Sequence, residues 1–302
     1  MSLFSRREFL TRSGAVALIA AAGGGVAHPY RAVSAPATTS GESSAVPGRL
    51  KQSLCRWPYS KISLPELCRR SKQMGFAAID LLYPDEWSVA ADAGLIVSMG
   101  YASHRDKFIA TGFNDPANHA LLLGELETAV PLAARARVPN LIAMFGNRVS
   151  GIDETAAIAN CVAGLAKIAP LAEKHGVTVC VELLNSKVDH PGYQGDHTGF
   201  GVAVVRGVNS PRVKLLYDIY HMQIMEGDVI RTIRENINWI GHFHTGGVPG
   251  RHEINDGQEL NYHAIAAAIA DLNYQGYVAH EFVPTRTDPF SSLAEALRIF
   301  TV

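Results

Sequence analysis

From about residue 50 the chain alternates between two kinds of apolar pattern. One is a short run, apolar on successive positions and rich in Val, Ile and Leu. It recurs at "LKQSLC" (50–55), "AAIDLLY" (77–83), "LIVSMGY" (95–101), "NLIAMFG" (140–146), "VTVCVELL" (177–184), "VKLLYDIY" (213–220), "INWIGHFH" (237–244) and "GYVAHEF" (276–282). Runs that are apolar on both faces predict strands of a parallel sheet covered by helices. The second kind is longer, with polar residues spaced at helical period. It predicts helices over 63–74, 84–91, 115–138, 153–176, 199–208 in part, 227–236, 261–273 and 291–300. Ser63 with Pro65, and Asp153, mark helix starts, while Gly75 and Gly176 mark stops.

Eight strands alternating with helices predict a (β/α)8 TIM barrel, a single α/β domain over residues 49–302. The alternative is a doubly wound open sheet. No G-x-G-x-x-G turn follows the first run, which counts against it.

The first 48 residues follow neither pattern. Arg6-Arg7 precede Glu8-Phe9-Leu10 and a short stretch of small apolar residues, Ala15 to Ala22. That stretch is shorter than the roughly 20 residues that span a bilayer. Residues 1–35 therefore read as a cleavable export signal resembling the twin-arginine type, with cleavage after Ala27 or Ala35. Residues 36–48, rich in Ser, Thr, Pro and Gly, read as a linker. The expected partner is the twin-arginine export machinery, the expected location is the periplasm, and no stable membrane anchor is expected.

Composition adds three points. With 47% hydrophobic residues the chain can bury a sizeable core. The formal net charge is −1, and losing residues 1–35 removes four arginines and one glutamate, leaving −4. A nucleic-acid partner is not expected from that balance. Cys55, Cys68, Cys161 and Cys180 are irregularly spaced, and Cys180 sits in a strand pattern, so buried free thiols are expected rather than bridges.

The last four apolar runs share an oddity. They end on Glu182, Asp218, His244 and Glu281. In a TIM barrel the C-terminal strand ends form the active-site mouth. A lone carboxylate there is ordinarily a solvated end or a helix cap. Four polar ends on consecutive strands instead predict a shared site, in which three carboxylates repel unless a cation joins them. Oxygen ligands with one imidazole suit Mn²⁺, Mg²⁺ or Co²⁺, with Zn²⁺ also open. Glu182 and Glu281 are expected to face a solvent-filled mouth. His221, Arg251, Asn147, Arg148 and His104 follow strands and are candidate substrate contacts, weighed evenly against ordinary loop charges. His242 shares the face of His244 and is a candidate partner behind it. His190, His197, His252 and His280 read as structural.

The segments "VELLN", "YDIYHMQ", "GHFHTGGVPGRHEINDGQELNY" and "YVAHEFVP", with "GNRVSG" upstream, resemble the hydroxypyruvate isomerase family. This family lies within the xylose isomerase-like superfamily of sugar isomerases and epimerases, and the similarity runs from about residue 50 to the end. The resemblance implies that Glu182, Asp218, His244 and Glu281 hold a divalent metal ion. It implies that Glu182 and Glu281 move the substrate proton and that His221 and Arg251 contact substrate oxygens. The implied activity interconverts hydroxypyruvate and 2-hydroxy-3-oxopropanoate through an enediolate. His244 departs from the glutamine common in this branch and is similar to the ketose 3-epimerase branch. An exported keto-sugar or keto-glycoside epimerase or isomerase thus remains an alternative, as does a non-catalytic periplasmic sugar-binding module. A metal-dependent nuclease on the same barrel is a third reading, disfavoured by the charge. Oligomeric state, homo-oligomer included, stays open.

Overall fold

A computed structural model of the chain describes residues 48–302. The expected signal segment and all but the last residue of the expected linker lie outside the described residues.

The elements alternate as the pattern predicts. They are β1 (Lys51–Leu54), α1 (Leu64–Met74), β2 (Ala78–Leu82), α2 (Trp87–Asp92), β3 (Ile96–Gly100), α3 (His119–Ala136), β4 (Asn140–Met144), α4 (Glu154–His175), β5 (Thr178–Leu183), α5 (Thr198–Val208), β6 (Val213–Asp218), α6 (Ile219–Met225), α7 (Val229–Asn236), β7 (Ile240–Thr245), α8 (Tyr262–Asp271), β8 (Tyr277–His280) and α9 (Pro289–Ile299). All ladders are parallel, in the order β1-β8-β7-β6-β5-β4-β3-β2. The seam between β1 and β2 is drawn together by Ala77 N donating to Gln52 O and Arg56 N donating to Asp80 O, both at 3.0 Å. This is a single, nearly closed eight-stranded TIM barrel.

Local chemistry explains the boundaries. Asp153 Oδ1 accepts from Ala156 N at 2.8 Å and starts α4, and Gly176, at φ 68°, ends it. Asp288 accepts from Phe290 N ahead of Pro289 and starts α9. Ser63 stands at the start of α1 but makes no side-chain cap bond. The clearest departure from the sequence pattern is at 213–220. There the strand stops at Asp218, whose Oδ1 accepts from Tyr220 N (2.8 Å) and His221 N (3.3 Å) and starts α6. Ile219, Tyr220 and Met222 are buried as helix residues, so their apolarity extended the strand reading too far.

β2 is irregular. Its register with β3 shifts at Asp80 and again before Leu82, and Leu81 lies in the left-handed region at φ 59°. At the other end of the barrel, Arg49 N donates to Val302 O at 3.0 Å, so the two ends of the described chain meet just before β1. All four cysteines are buried and free.

Candidate active site

The C-terminal strand ends carry Glu182 (β5), Asp218 (β6), His244 (β7) and Glu281, which directly follows β8. One ligand atom from each lies within 4.8 Å of all the others. His244 Nδ1 is 3.3 Å from Glu182 Oε1 and 2.6 Å from Glu281 Oε2, out of line for a hydrogen bond with either. The four residues are buried, with Glu182 and Glu281 each only 5% exposed. The expected solvent-filled mouth is therefore corrected. The carboxylates sit on the floor of a cavity, because side chains at these strand ends point in toward the barrel axis.

Arg251 supplies the opposing charge. Its Nη2 donates to Asp218 Oδ2 at 2.7 Å and also to Glu281 Oε2, and its Nε donates to Glu281 O at 3.0 Å. Nη1 donates to His221 Nε2 at 2.6 Å. The loop between β7 and α8 folds back to bring Arg251 there. Gly247 N donates to His252 O and Arg251 N to Gly247 O, with Arg251 at φ 57°. A Cβ at Gly247 would meet Glu253 O at 2.3 Å, so this turn needs glycine. Glu253 pins the loop by accepting from Thr285 N, Thr285 Oγ1 and Ser292 Oγ.

The charges push the carboxyls apart. Burial raises Glu182 to about 7, aided by the nearby Glu281. Burial alone would raise Glu281 too, but Arg251 and His244 outweigh it and hold this carboxyl well below its ordinary range. Burial and Glu281 raise Asp218 against the pull of Arg251. Burial and Arg251 push His221 well below its usual value, so its ring is neutral. His244 is driven the other way: Glu281 overcomes the cost of burial and raises it.

A buried polar layer lies under the cluster. Asp80 Oδ2 is 2.5 Å from His242 Nε2 and 3.7 Å from His244 Nε2, and Cys55 Sγ is 3.8 Å from the same His244 nitrogen. His242 thus reaches His244 through Asp80, as its face predicts. The residues present fit a divalent cation. A buried imidazole nitrogen without a hydrogen bond faces three buried carboxylates, and oxygen ligands with one nitrogen are a common donor set for such ions.

Above this floor opens a cavity of about 360 Å³. Glu182, Glu281, His221, Arg251, Asp189 and His190 line its polar side, with Trp57 at the edge, donating from Nε1 to Glu281 Oε1 at 2.5 Å. Of the sequence-predicted contacts, His221 and Arg251 reach the cavity. Three are placed elsewhere. His104 is exposed, stacked on Tyr83 and 3.2 Å from Asp85. Asn147 pairs through its backbone with Ala110 and Tyr193. Arg148 donates to Tyr193 O and Asp196 Oδ2. Each stands on a loop that turns away to tie down its neighbours. His190, read as structural, lines the cavity instead. Trp57 and Asp80 were missed. Asp80 was an isolated charge in a fully apolar run, and that was its only signal.

The cluster stands at the C-terminal ends of the strands, where TIM-barrel enzymes carry their active sites. Residues 68–301 match the xylose isomerase-like TIM barrel family, and the chain belongs to it. A 2-oxo-tetronate isomerase of Cupriavidus necator is 32% identical over 220 residues, covering 70% of this chain and 83% of that protein. A human relative whose name carries the words hydroxypyruvate isomerase is 27% identical over 242 residues, covering 76% and 87%. A solved structure described as an AP endonuclease, family 2, from Brucella melitensis superposes with a TM-score of 0.71 at 25% identity, covering 82% of this chain and 99% of that one. The family and its isomerase-named relatives mark the chain as an isomerase-type enzyme.

Proposed function

We propose that the protein shifts a proton on an α-hydroxy-carbonyl substrate, with Glu182 and Glu281 as the two proton carriers. The observation that carries this is their placement. They approach the same His244 nitrogen, at 3.3 Å and 2.6 Å, on the floor of one cavity. One carboxylate takes the proton from the carbon beside the carbonyl. The C–H electron pair moves into the new C=C bond while the carbonyl electrons move onto oxygen, giving an enediolate. The proton then returns either to the neighbouring carbon, which is isomerisation, or to the opposite face of the same carbon, which is epimerisation. Arg251 offsets the negative charge on the substrate oxygens, and neutral His221 beside it orients them. Trp57 holds Glu281 Oε1 in place. A divalent cation held by Glu182, Asp218, His244 and Glu281 would acidify the C–H when bound.

The cavity favours a keto sugar as substrate. Its 360 Å³ lies in the range of pockets that enclose ligands much larger than a three-carbon acid. Hydroxypyruvate is the second reading, favoured by the names of the relatives and by the "VPGRHE" segment. A nuclease is disfavoured by the acidic balance of the chain. Export by the twin-arginine route is part of the proposal, and Arg6→Lys with Arg7→Lys should retain the protein in the cytoplasm.

The test is deuterium uptake in D₂O, followed by NMR, with hydroxypyruvate and a panel of ketoses and keto-glycosides. Metal-loaded protein is compared with EDTA-treated protein. Metal-dependent uptake beside a carbonyl is expected. Uptake with hydroxypyruvate alone selects the second reading, and no uptake with any substrate leaves the sugar-binding module.

A further inference from the structure

The cavity has a second wall that the proton chemistry does not use. Leu81, Phe108, Ile109, Ile142, Met144 and Leu184 line it. Apart from the weakly accepting sulfur of Met144, already taken by Tyr193 Oη, none of these side chains offers a hydrogen bond, and the hydroxyl of Tyr101 is the one stronger polar group in the same wall. Sugar hydroxyls laid against them would give up water and gain no partner, which is costly. An apolar group would gain by the same burial.

Leu81 shows that this wall is built rather than left over. Asp80 points into the barrel, where it meets His242. In a regular strand the next side chain would point out toward the helices. The break in β2 register on either side of Asp80, the second shift leaving Leu81 unpaired with β3, turns the Leu81 side chain into the cavity instead. A leucine in the left-handed region is held against its preference, and such positions cluster where ligands bind.

We propose that this wall is a subsite for an apolar substituent of the substrate. The substrate is then a keto sugar bearing an alkyl or aryl aglycone. Its hydroxy-carbonyl carbons rest over Glu182 and Glu281, and its aglycone lies against Leu81, Ile142 and Met144. The inference rests on the isomerase reading above.

The probes are the methyl and phenyl glycosides of 3-keto-glucose, which share one carbonyl and differ only in the aglycone. Saturation-transfer NMR on the metal-loaded protein reports binding, and deuterium uptake reports turnover. We expect strong saturation of the phenyl ring and a phenyl-to-methyl preference of about tenfold or more, the scale of added apolar contacts in a pocket. Leu81→Asn should lower that ratio, since asparagine tolerates the same backbone conformation. Ile109→Asn, on a loop, should lower it independently. Equal binding of the two glycosides, or no saturation of the ring, overturns the subsite. A phenyl preference in binding without deuterium uptake upholds the subsite and sinks the proposed reaction. Uptake at equal efficiency with both does the reverse.

Discussion

The two halves of the barrel face the same cavity with opposite chemistry. From β5 to β8 the strand ends deliver Glu182, Asp218, His244 and Glu281, cross-linked by Arg251. From β2 to β4 they deliver Leu81, Tyr101, Ile142 and Met144. Both sides use parallel strands alternating with helices, so apart from the irregular backbone of β2 at Leu81 the contrast comes from the side chains at equivalent strand ends. One half is held by charge and the other by packing. Asp80, on β2, is the exception of the apolar half. It lies below the floor and supports His242 and His244 from behind.

The comparison can be broken most sharply at the charged half. Glu281→Gln or Glu182→Gln should lower kcat by about 10³-fold, within the range for loss of a general acid or base. The circular dichroism spectrum should be unchanged. A variant with full activity would end the assignment. Next in size is Arg251→Met. Removing one partner of a buried ion pair costs about 3–5 kcal/mol. We expect a urea-unfolding loss of that order without metal and a smaller one with Mn²⁺ present, because the cation takes over the balancing charge. An equal loss in both conditions would show that the carboxylates do not share a cation.

Glu253 sharpens the comparison outside the cavity. Burial would raise it, but the backbone and hydroxyl donors of Thr285 and Ser292 hold it down at about 2. A depressed carboxyl stabilises the fold above its unfolded value of about 4.5 and loses that contribution as pH falls toward 2. The amount is roughly 3 kcal/mol at neutral pH. Glu253→Gln should flatten the acid limb of the stability curve between about pH 4.5 and 2. An unchanged acid limb would show that the loop is pinned by other contacts. The smallest effect is expected at Leu81→Gly. Truncating a buried leucine costs about 2–5 kcal/mol, and relief of the left-handed backbone returns about 1–2. A net loss below that of Ile142→Ala, measured by the same unfolding, is expected. A larger loss would mean that the bulge is not strained.

Most of the barrel was legible because both of its periods are strong. Val-rich runs marked the strands, and Asp153, Gly75 and Gly176 marked helix ends. α6 was not legible, because Ile219, Tyr220 and Met222 continue an apolar run in which only the capping role of Asp218 signals a turn. The charged half of the site was readable since four polar strand ends repeat in succession. The apolar half was invisible, since Leu81 and Ile142 look like any core residue until the bulge and the barrel closure place them. His104, Asn147 and Arg148 showed the limit of reading by adjacency. A residue just after a strand reaches the cavity only if its loop turns inward, and loop direction has no periodicity to read.

The hydrogen bond from Arg49 N to Val302 O ties the segment just before β1 to the segment just after α9, at the face away from the cavity. With residues 1–48 removed, a chain fused between Arg49 and Val302 and opened instead at Gly176, in the turn between α4 and β5, is expected to trace the same barrel around the same cavity, since ends this close tolerate circular permutation.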